Sequence, residues 1–525
     1  MSVRGSVGSM MAATLVSRAL GFVKVILLVA AIGGTSSGVG GQAFEIANST
    51  PTYLFTLIAG GVLGAVLVPQ LVRNLHAGSA GQDHTDRLLT LVIVGGAAAT
   101  VALTLCAPGI VWIYAMSWSP EWRALATSMA YWCLPQIFFL IVFAVLSQVL
   151  NARGVFGVPA WTPAISNLVG ISGILLFLHA LPSGLGNVDS WSPTMVAVLS
   201  GSATLAIAVQ GALLVVPLRR IGFRLRLSWG VTGLGRMTTV AGWTLLGVVA
   251  GQVTYLVTAN VANRAGETLH RLGTDGASLN SLSTAYLLML LPHGLVTVSL
   301  TTALYTRMSG FAARHDLAST VSLASQATRP VAYVSIAAAA IFVALGPLLA
   351  AVLFGRPVIG QVLQILSIGL IGFSQAYVLN RTSFALQDAR GPFVTQLVIA
   401  VLSAAGAAAS ALVLPPTLVV IGIAAGVSIA NCAGWLTARL ALQRTLRTLG
   451  HVPTHRPGPV LGYARLLGAG VAAVGGGWLA VTHLAMPAGA VGQLALLGIA
   501  GTASAVTFAA VAHLLGDRTL GDLRR

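Results

Sequence analysis

Charge is scarce in this chain. Asp, Glu, Lys and Arg together make up 7% of its 525 residues, against about a quarter in an ordinary soluble domain. That shortage excludes a water-solvated surface over most of its length. Acids are scarcer than bases, 11 against 28, and Lys24 is the single lysine. The acids fall in loops or at the ends of apolar runs, so no paired general acid and base is expected. There is no H-E-x-x-H and no Walker loop, which argues against metalloprotease chemistry and against direct ATP drive. Cys106, Cys133 and Cys432 lie in separate apolar stretches without C-x-x-C spacing. They read as small core residues rather than as metal ligands. An enzyme is therefore not expected, nor a cofactor, nor a metal. A cleavable signal is not expected either: the first apolar run begins near Val7, is too long for a signal peptide and contains Arg18.

What the chain has is apolar length. Hydrophobic residues reach 56% and the mean hydropathy is +0.89. Runs of 18 or more apolar residues mark membrane-spanning helices, and fourteen are expected, at 7–33, 46–72, 88–115, 125–151, 160–181, 194–217, 238–262, 279–306, 328–354, 359–387, 392–414, 417–441, 461–484 and 489–515. The fold class is thus an all-α polytopic membrane protein. The net charge of +17 does not point to nucleic acid, because arginines in short loops set membrane orientation. With the N-terminus in the cytoplasm, the inner loops collect Arg73, Arg87, Arg153, Arg219, Arg220 and most of the others, leaving Arg123, Arg264, Arg271 and Arg356 outside. Both termini are expected in the cytoplasm.

Four segments are expected: an N-terminal lobe of six spans (1–218), a basic amphipathic linker (219–237), a C-terminal lobe of six spans (238–447), and two further spans with a cytoplasmic tail (448–525). The linker, RRIGFRLRLSWGVTGLGR in its core, alternates basic and apolar residues as an inner-surface segment would. An internal repeat relates the lobes. Pro51 followed by a Gly/Val-rich run ending in Arg73 parallels Pro292-His-Gly followed by a run ending in Arg307, and Leu150-Asn-Ala-Arg153-Gly parallels Ala385-Leu-Gln-Asp-Ala-Arg390-Gly-Pro392.

The most informative stretch is the first helix. At about 100° per residue, Thr14, Ser17, Arg18, Gly21 and Lys24 share an arc of about 120°. Each cation sits about 15 Å from the nearer end of the span at 1.5 Å per residue, too deep for easy snorkelling. Insertion scales put each at about 2.5–3.5 kcal/mol. With no buried acid in view, a water-filled cavity that receives an anion is the expected compensation, and an arginine fork suits phosphate. Gln42 and Thr52, near and within the second span, are candidates to line that cavity. His293, beside Pro292 in the eighth span, is a further candidate set against a plain packing role. Kinks are expected at the intraspan prolines.

Ser17-Arg-Ala-Leu-Gly-Phe22, Gln42-Ala-Phe-Glu-Ile-Ala47, Pro51, Val68-Pro69, Tyr286 to Gly294, Arg307-Met-Ser309 and Ala385 to Pro392 resemble the MurJ/MviN family of lipid II flippases, over most of the chain. The resemblance implies two six-helix lobes around a central cationic cavity, plus two C-terminal helices forming a groove for a lipid tail. The implied cargo is undecaprenyl-pyrophosphate-linked peptidoglycan precursor, lipid II, moved from the inner to the outer leaflet of the bacterial cytoplasmic membrane by alternating access. Of the expected substrate-binding residues, Arg18, Lys24, Ser17, Thr14, Gln42, Thr52 and His293, the resemblance carries Arg18 and Lys24. Lys24 stands where the family commonly has arginine, Gln42 where it often has an acid, and Leu287 where many members have an arginine. Implied partners are the lipid-linked saccharide, membrane lipids and proteins of cell-wall synthesis or division. Competing readings are a flippase for another polyprenyl-linked glycan, a drug exporter of the same fold, and a non-transporting cell-wall scaffold.

Overall fold

The computed structural model describes residues 3–35, 38–58, 78–180, 188–223, 226–230, 239–450, 458–484 and 489–517. Among them all regular structure is helical. The first part comprises α1 (Val3–Ile32), α2 (Val39–Ile58), α3 (Gly78–Leu105), α4 (Ala107–Tyr114), α5 (Pro120–Cys133), α6 (Gln136–Ala152), α7 (Gly157–Ala180), α8 (Pro193–Ala212) and α9 (Val215–Arg220). Then come α10 (Thr239–Arg271), α11 (Leu279–Pro292), a π turn (His293–Val298), α12 (Ser299–Ala313), α13 (Leu317–Phe354), α14 (Pro357–Ala385), α15 (Arg390–Val413), α16 (Pro416–Thr448), α17 (Gly458–His483) and α18 (Ala490–Leu514).

Thirteen described stretches are long and apolar enough to cross a membrane. They match the expected spans except the second, of which residues 59–72 lie outside the described residues, as do Arg73, most of the linker after Gly230, Arg456 and the tail from 518. Several boundaries differ from expectation. The second helix begins at Val39 rather than 46, so Glu45 and Asn48 are helical. The third span breaks at Cys106, where Pro108 can sit only in the first turn of a new helix. The seventh helix runs nine residues past 262, carrying Glu267, paired with Arg271 at 2.7 Å. Three of the acids at span ends or between spans are nonetheless buried: Asp86, Glu267 and Asp517. Pro292 has no N–H for the α-helical bond, and the helix slips into a π turn directly after it.

The chain divides into two compact units, Met1–Gly33 with Ser37–Val248, and Gly34–Ser36 with Val249–Arg525. In the first, α1 packs on α7, α7 on α8, and α2 on α5 and α6. The linker's described part, Arg226–Gly230, has no regular secondary structure. Its backbone is pinned to α3: Ser228 N donates to Thr90 Oγ1 at 3.1 Å and Arg87 Nη1 donates to the Gly230 carbonyl at 3.1 Å. The basic–apolar alternation leaves Leu227 and Trp229 exposed.

In the second unit, α14 is the central helix, packed by α11, α13 and α16, with α15 on α16. Glycine permits the closest approaches: a Cβ on Gly360 would overlap the Gly346 carbonyl on α13. Such small-residue contacts replace the hydrophobic drive that lipid does not supply. The last two helices pack on α13 through Ile336, Ala340, Ala469, Ala473 and Phe508. Tyr463 Oη donates to Gln375 Oε1 at 2.9 Å, and Gln375 Nε2 donates to the Thr328 carbonyl at 3.0 Å, so one buried amide ties α17 to α14 and α13. Arg329 meets Asp517 at 3.2 Å beyond α18.

Candidate functional site

Lys24 faces α7. A Cβ on Gly170 would lie 3.0 Å from Lys24 Cδ, so the glycine is what lets the lysine stem lie along the neighbouring helix. One turn earlier the same face is fixed by Asn167, whose Nδ2 donates to the Ser17 carbonyl at 2.8 Å and meets the bare Gly21 position. The Ser17–Gly21–Lys24 stripe is therefore the packing face of α1, with small residues at its contacts and the cation at its far end.

At that end the first unit holds a cavity of about 180 Å³. Lys24, Asn48, Thr52, Gln136 and Ser202 give it polar groups; Leu28, Phe44, Ile174 and Leu199 give it apolar walls. Gln136 Nε2 donates to Asn48 Oδ1 at 3.1 Å, orienting both amides. Among the described residues no carboxylate lines the cavity and Lys24 has no ion pair. The result is one positive charge surrounded by neutral groups able to donate or accept. Such a set suits an oxyanion. The volume lies below the ~300 Å³ where pockets for whole organic ligands begin, so it fits a phosphate-sized group and not a saccharide.

The other expected residues are distributed around this centre. Arg18 is half-buried, six residues before Lys24, without a carboxylate partner among the described residues and outside the cavity lining. Thr14 is exposed. Gln42 is fully buried and does not line the cavity, whereas Thr52 does. His293 belongs to the second unit. There its Nδ1 lies 2.9 Å from Ser374 Oγ, and its ring packs against Phe373 and Tyr377 at centroid distances of 4.7 and 5.2 Å, the geometry of a hydrogen-bonded packing residue. Polar residues of the seventh span bond their own helix: Thr254 donates to the Ala250 carbonyl and Asn260 to that of Leu256.

A family model described as lipid II flippase MurJ matches residues 29–499. The chain belongs to the lipid II flippase MurJ family. A probable lipid II flippase MurJ of Rhizobium meliloti (strain 1021) is 26% identical over 98% of this chain and 94% of its own length. A lipid II flippase MurJ of Burkholderia cenocepacia is 23% identical over 72% of each chain. Among solved structures, a lipid II flippase MurJ in an inward closed conformation superposes with a TM-score of 0.72 at 18% identity, covering 98% of this chain and 99% of that one. An inward-facing multidrug resistance MATE transporter of the MOP superfamily gives 0.66 at 15% identity over 83% and 95%. The fold is thus that of the MurJ and MATE transporters.

Sequence reasoning missed Gln136, Ser202, Asn167 and Gly170. Gln136 follows Pro135 in an apolar run, a signal that could have been used; the two small residues and Asn167 carry none until their neighbours are known. It also missed Arg381, inside the expected span 359–387. Arg381 Nε and Nη2 donate to Tyr377 Oη at 3.2 and 3.0 Å, and its guanidinium lies over the rings of Tyr305 and Tyr377. This further intramembrane cation is legible as a charge in an apolar run, though not as one stacked on tyrosines.

Proposed function

We propose that this protein moves a polyprenyl-pyrophosphate-linked peptidoglycan precursor, lipid II, from the inner to the outer leaflet by alternating access. The observation that carries the reading is Lys24: an ammonium lining a membrane-embedded cavity of neutral polar groups with no carboxylate partner. A charge that costs about 2.5–3.5 kcal/mol to place in a bilayer is explained if an anion visits it. The cavity takes the pyrophosphate oxygens, while sugar and peptide stay outside it. Arg18, about 9 Å along the helix from Lys24 at 1.5 Å per residue, serves the same anion on its way in or out. Membership of the MurJ family supports the cargo and a bacterial cytoplasmic membrane, and the arginine distribution supports placing both termini on the cytoplasmic side.

The test is complementation of a bacterium depleted of its own flippase. The wild-type chain restores growth and the lipid II exposed at the cell surface. Arg18→Ala and Lys24→Met, expressed at equal level, do not. Full rescue by either variant would remove that residue from the anion site, and rescue by both would leave the scaffold reading. A drug exporter is disfavoured by the lining, in which Phe44 is the one aromatic residue. Reporter fusions at the two ends that report a periplasmic location would overturn the orientation.

A further inference from the structure

A second concavity in the first unit takes no part in that reading. It lies where the turn after α6 meets the start of α7 and the short α9, and its volume is about 700 Å³. Gly154, with φ +77°, turns the chain, and Gly157 opens α7 with empty space where its Cβ would stand. The walls are apolar and outward-facing: Phe156, Val158, Trp161, Ile165 and Val216 are 37–52% exposed. Among the described residues, Arg220 is the one charged lining residue, in the last turn of α9, and no acid lines the groove. Among the described residues Arg220 has no carboxylate partner. Arg153 and Arg219 stand exposed at the same end, Arg153 over the ring of Phe223 at 5.4 Å.

An arginine that only fixes topology or complements a helix C-terminus needs no groove beside it. A free phosphate needs no apolar wall. The combination of acyl-sized apolar trough, interfacial tryptophan and unpaired guanidinium at the basic end of the spans matches an anionic lipid, whose phosphate the arginine fork can hold while a chain lies in the trough. We propose that this groove is a binding site for an anionic glycerophospholipid, with Arg220 on the phosphate and an acyl chain along Trp161 and Ile165. A zwitterionic headgroup would bring its own cation towards Arg153 and Arg219 and is rejected. The proposal stands apart from the transport reading, since it concerns neither Lys24 nor its cavity.

The test uses the full chain purified in detergent, loaded with phosphatidylglycerol or phosphatidylcholine and examined by native mass spectrometry. The wild-type protein retains phosphatidylglycerol in preference to phosphatidylcholine. Arg220→Gln weakens phosphatidylglycerol retention about tenfold, the loss of one charge-assisted hydrogen bond. Arg219→Gln, which removes the same charge next door but lines no part of the groove, leaves it unchanged. Gly157→Phe fills the trough and lowers retention with Arg220 intact. Equal effects of the two arginine substitutions, equal retention of the two lipids, or wild-type retention by a monodisperse Gly157→Phe protein would each overturn the proposal.

Discussion

Lys24→Met should make the protein more stable and inactive. The side chains are similar in length, so Met can follow the same path past Gly170, and the change is mainly in charge. A lysine deep in a span costs about 2.5–3.5 kcal/mol. The ammonium has three donors, and hydrogen bonds inside membrane proteins average about 0.6 kcal/mol. Even if Asn48, Gln136, Thr52 and Ser202 satisfied all three donors, they would return only about 1.8 kcal/mol. The unoccupied protein therefore carries Lys24 at a net cost of about 1–2 kcal/mol. Removing it should raise the melting temperature by about 2–8 °C, at the 2–4 °C per kcal/mol of large domains. Thermal unfolding in detergent followed by tryptophan fluorescence reads the first effect, and complementation reads the second. This is the stability–activity opposition expected of a residue kept for a ligand rather than for the fold. A fall of several degrees would refute the reasoning, because it would mean that the protein's own groups hold the ammonium and that no visiting anion is needed to explain it.

Other expectations concern the scaffold. Gly360→Ala should cost about 1–3 kcal/mol or more as an overpacking change, since its Cβ overlaps the Gly346 carbonyl; loss of the folded peak in size-exclusion chromatography reports it. Gln375→Leu strands the Tyr463 hydroxyl and removes the amide's second bond to the helical Thr328 carbonyl. At about 1–3 kcal/mol for an unsatisfied buried group, it should loosen α17 and α18 selectively, seen as faster amide hydrogen exchange in those two helices with the remainder unchanged. Asp316 caps α13 outside the membrane, and hydrogen bonds from the Ser319 side chain and N–H hold its carboxyl below the usual carboxylate range. Its contribution is therefore complete above the ordinary value of about 3.9 and is lost as pH falls through the lower folded-state value. Asp316→Asn keeps a capping oxygen and does not titrate. The wild-type melting temperature should drop more steeply than the variant's below about pH 4, and parallel curves would refute the cap's role.

The spans were legible because their cause is local. A run of apolar residues long enough to cross oil must form a helix to satisfy its own backbone, whatever surrounds it. Thirteen expected spans appear as helices for that reason, and two of the displaced ends have a local cause, Pro108 after the break at Cys106 and the i,i+4 ion pair Glu267–Arg271. The pair of cations on α1 was legible too, since helical geometry and the cost of buried charge are properties of one segment.

What surrounds Lys24 was not. Gly170, Gln136 and Ser202 lie more than a hundred residues away in the chain, and apart from the position of Gln136 after Pro135 nothing in their own stretches distinguishes them from helix-packing residues. Tertiary structure alone placed a glycine beneath the lysine stem, set Gln136 against Asn48, separated Thr52 from Gln42, and turned His293 onto Ser374. The chain by itself determined that positive charge would be carried into the membrane, because that follows from spacing along one helix. Only the packing of α1 against α7 and α2 against α6 decided which charge faces a cavity and what stands beside it, because a cavity is the space several helices leave between them and no single segment encodes it.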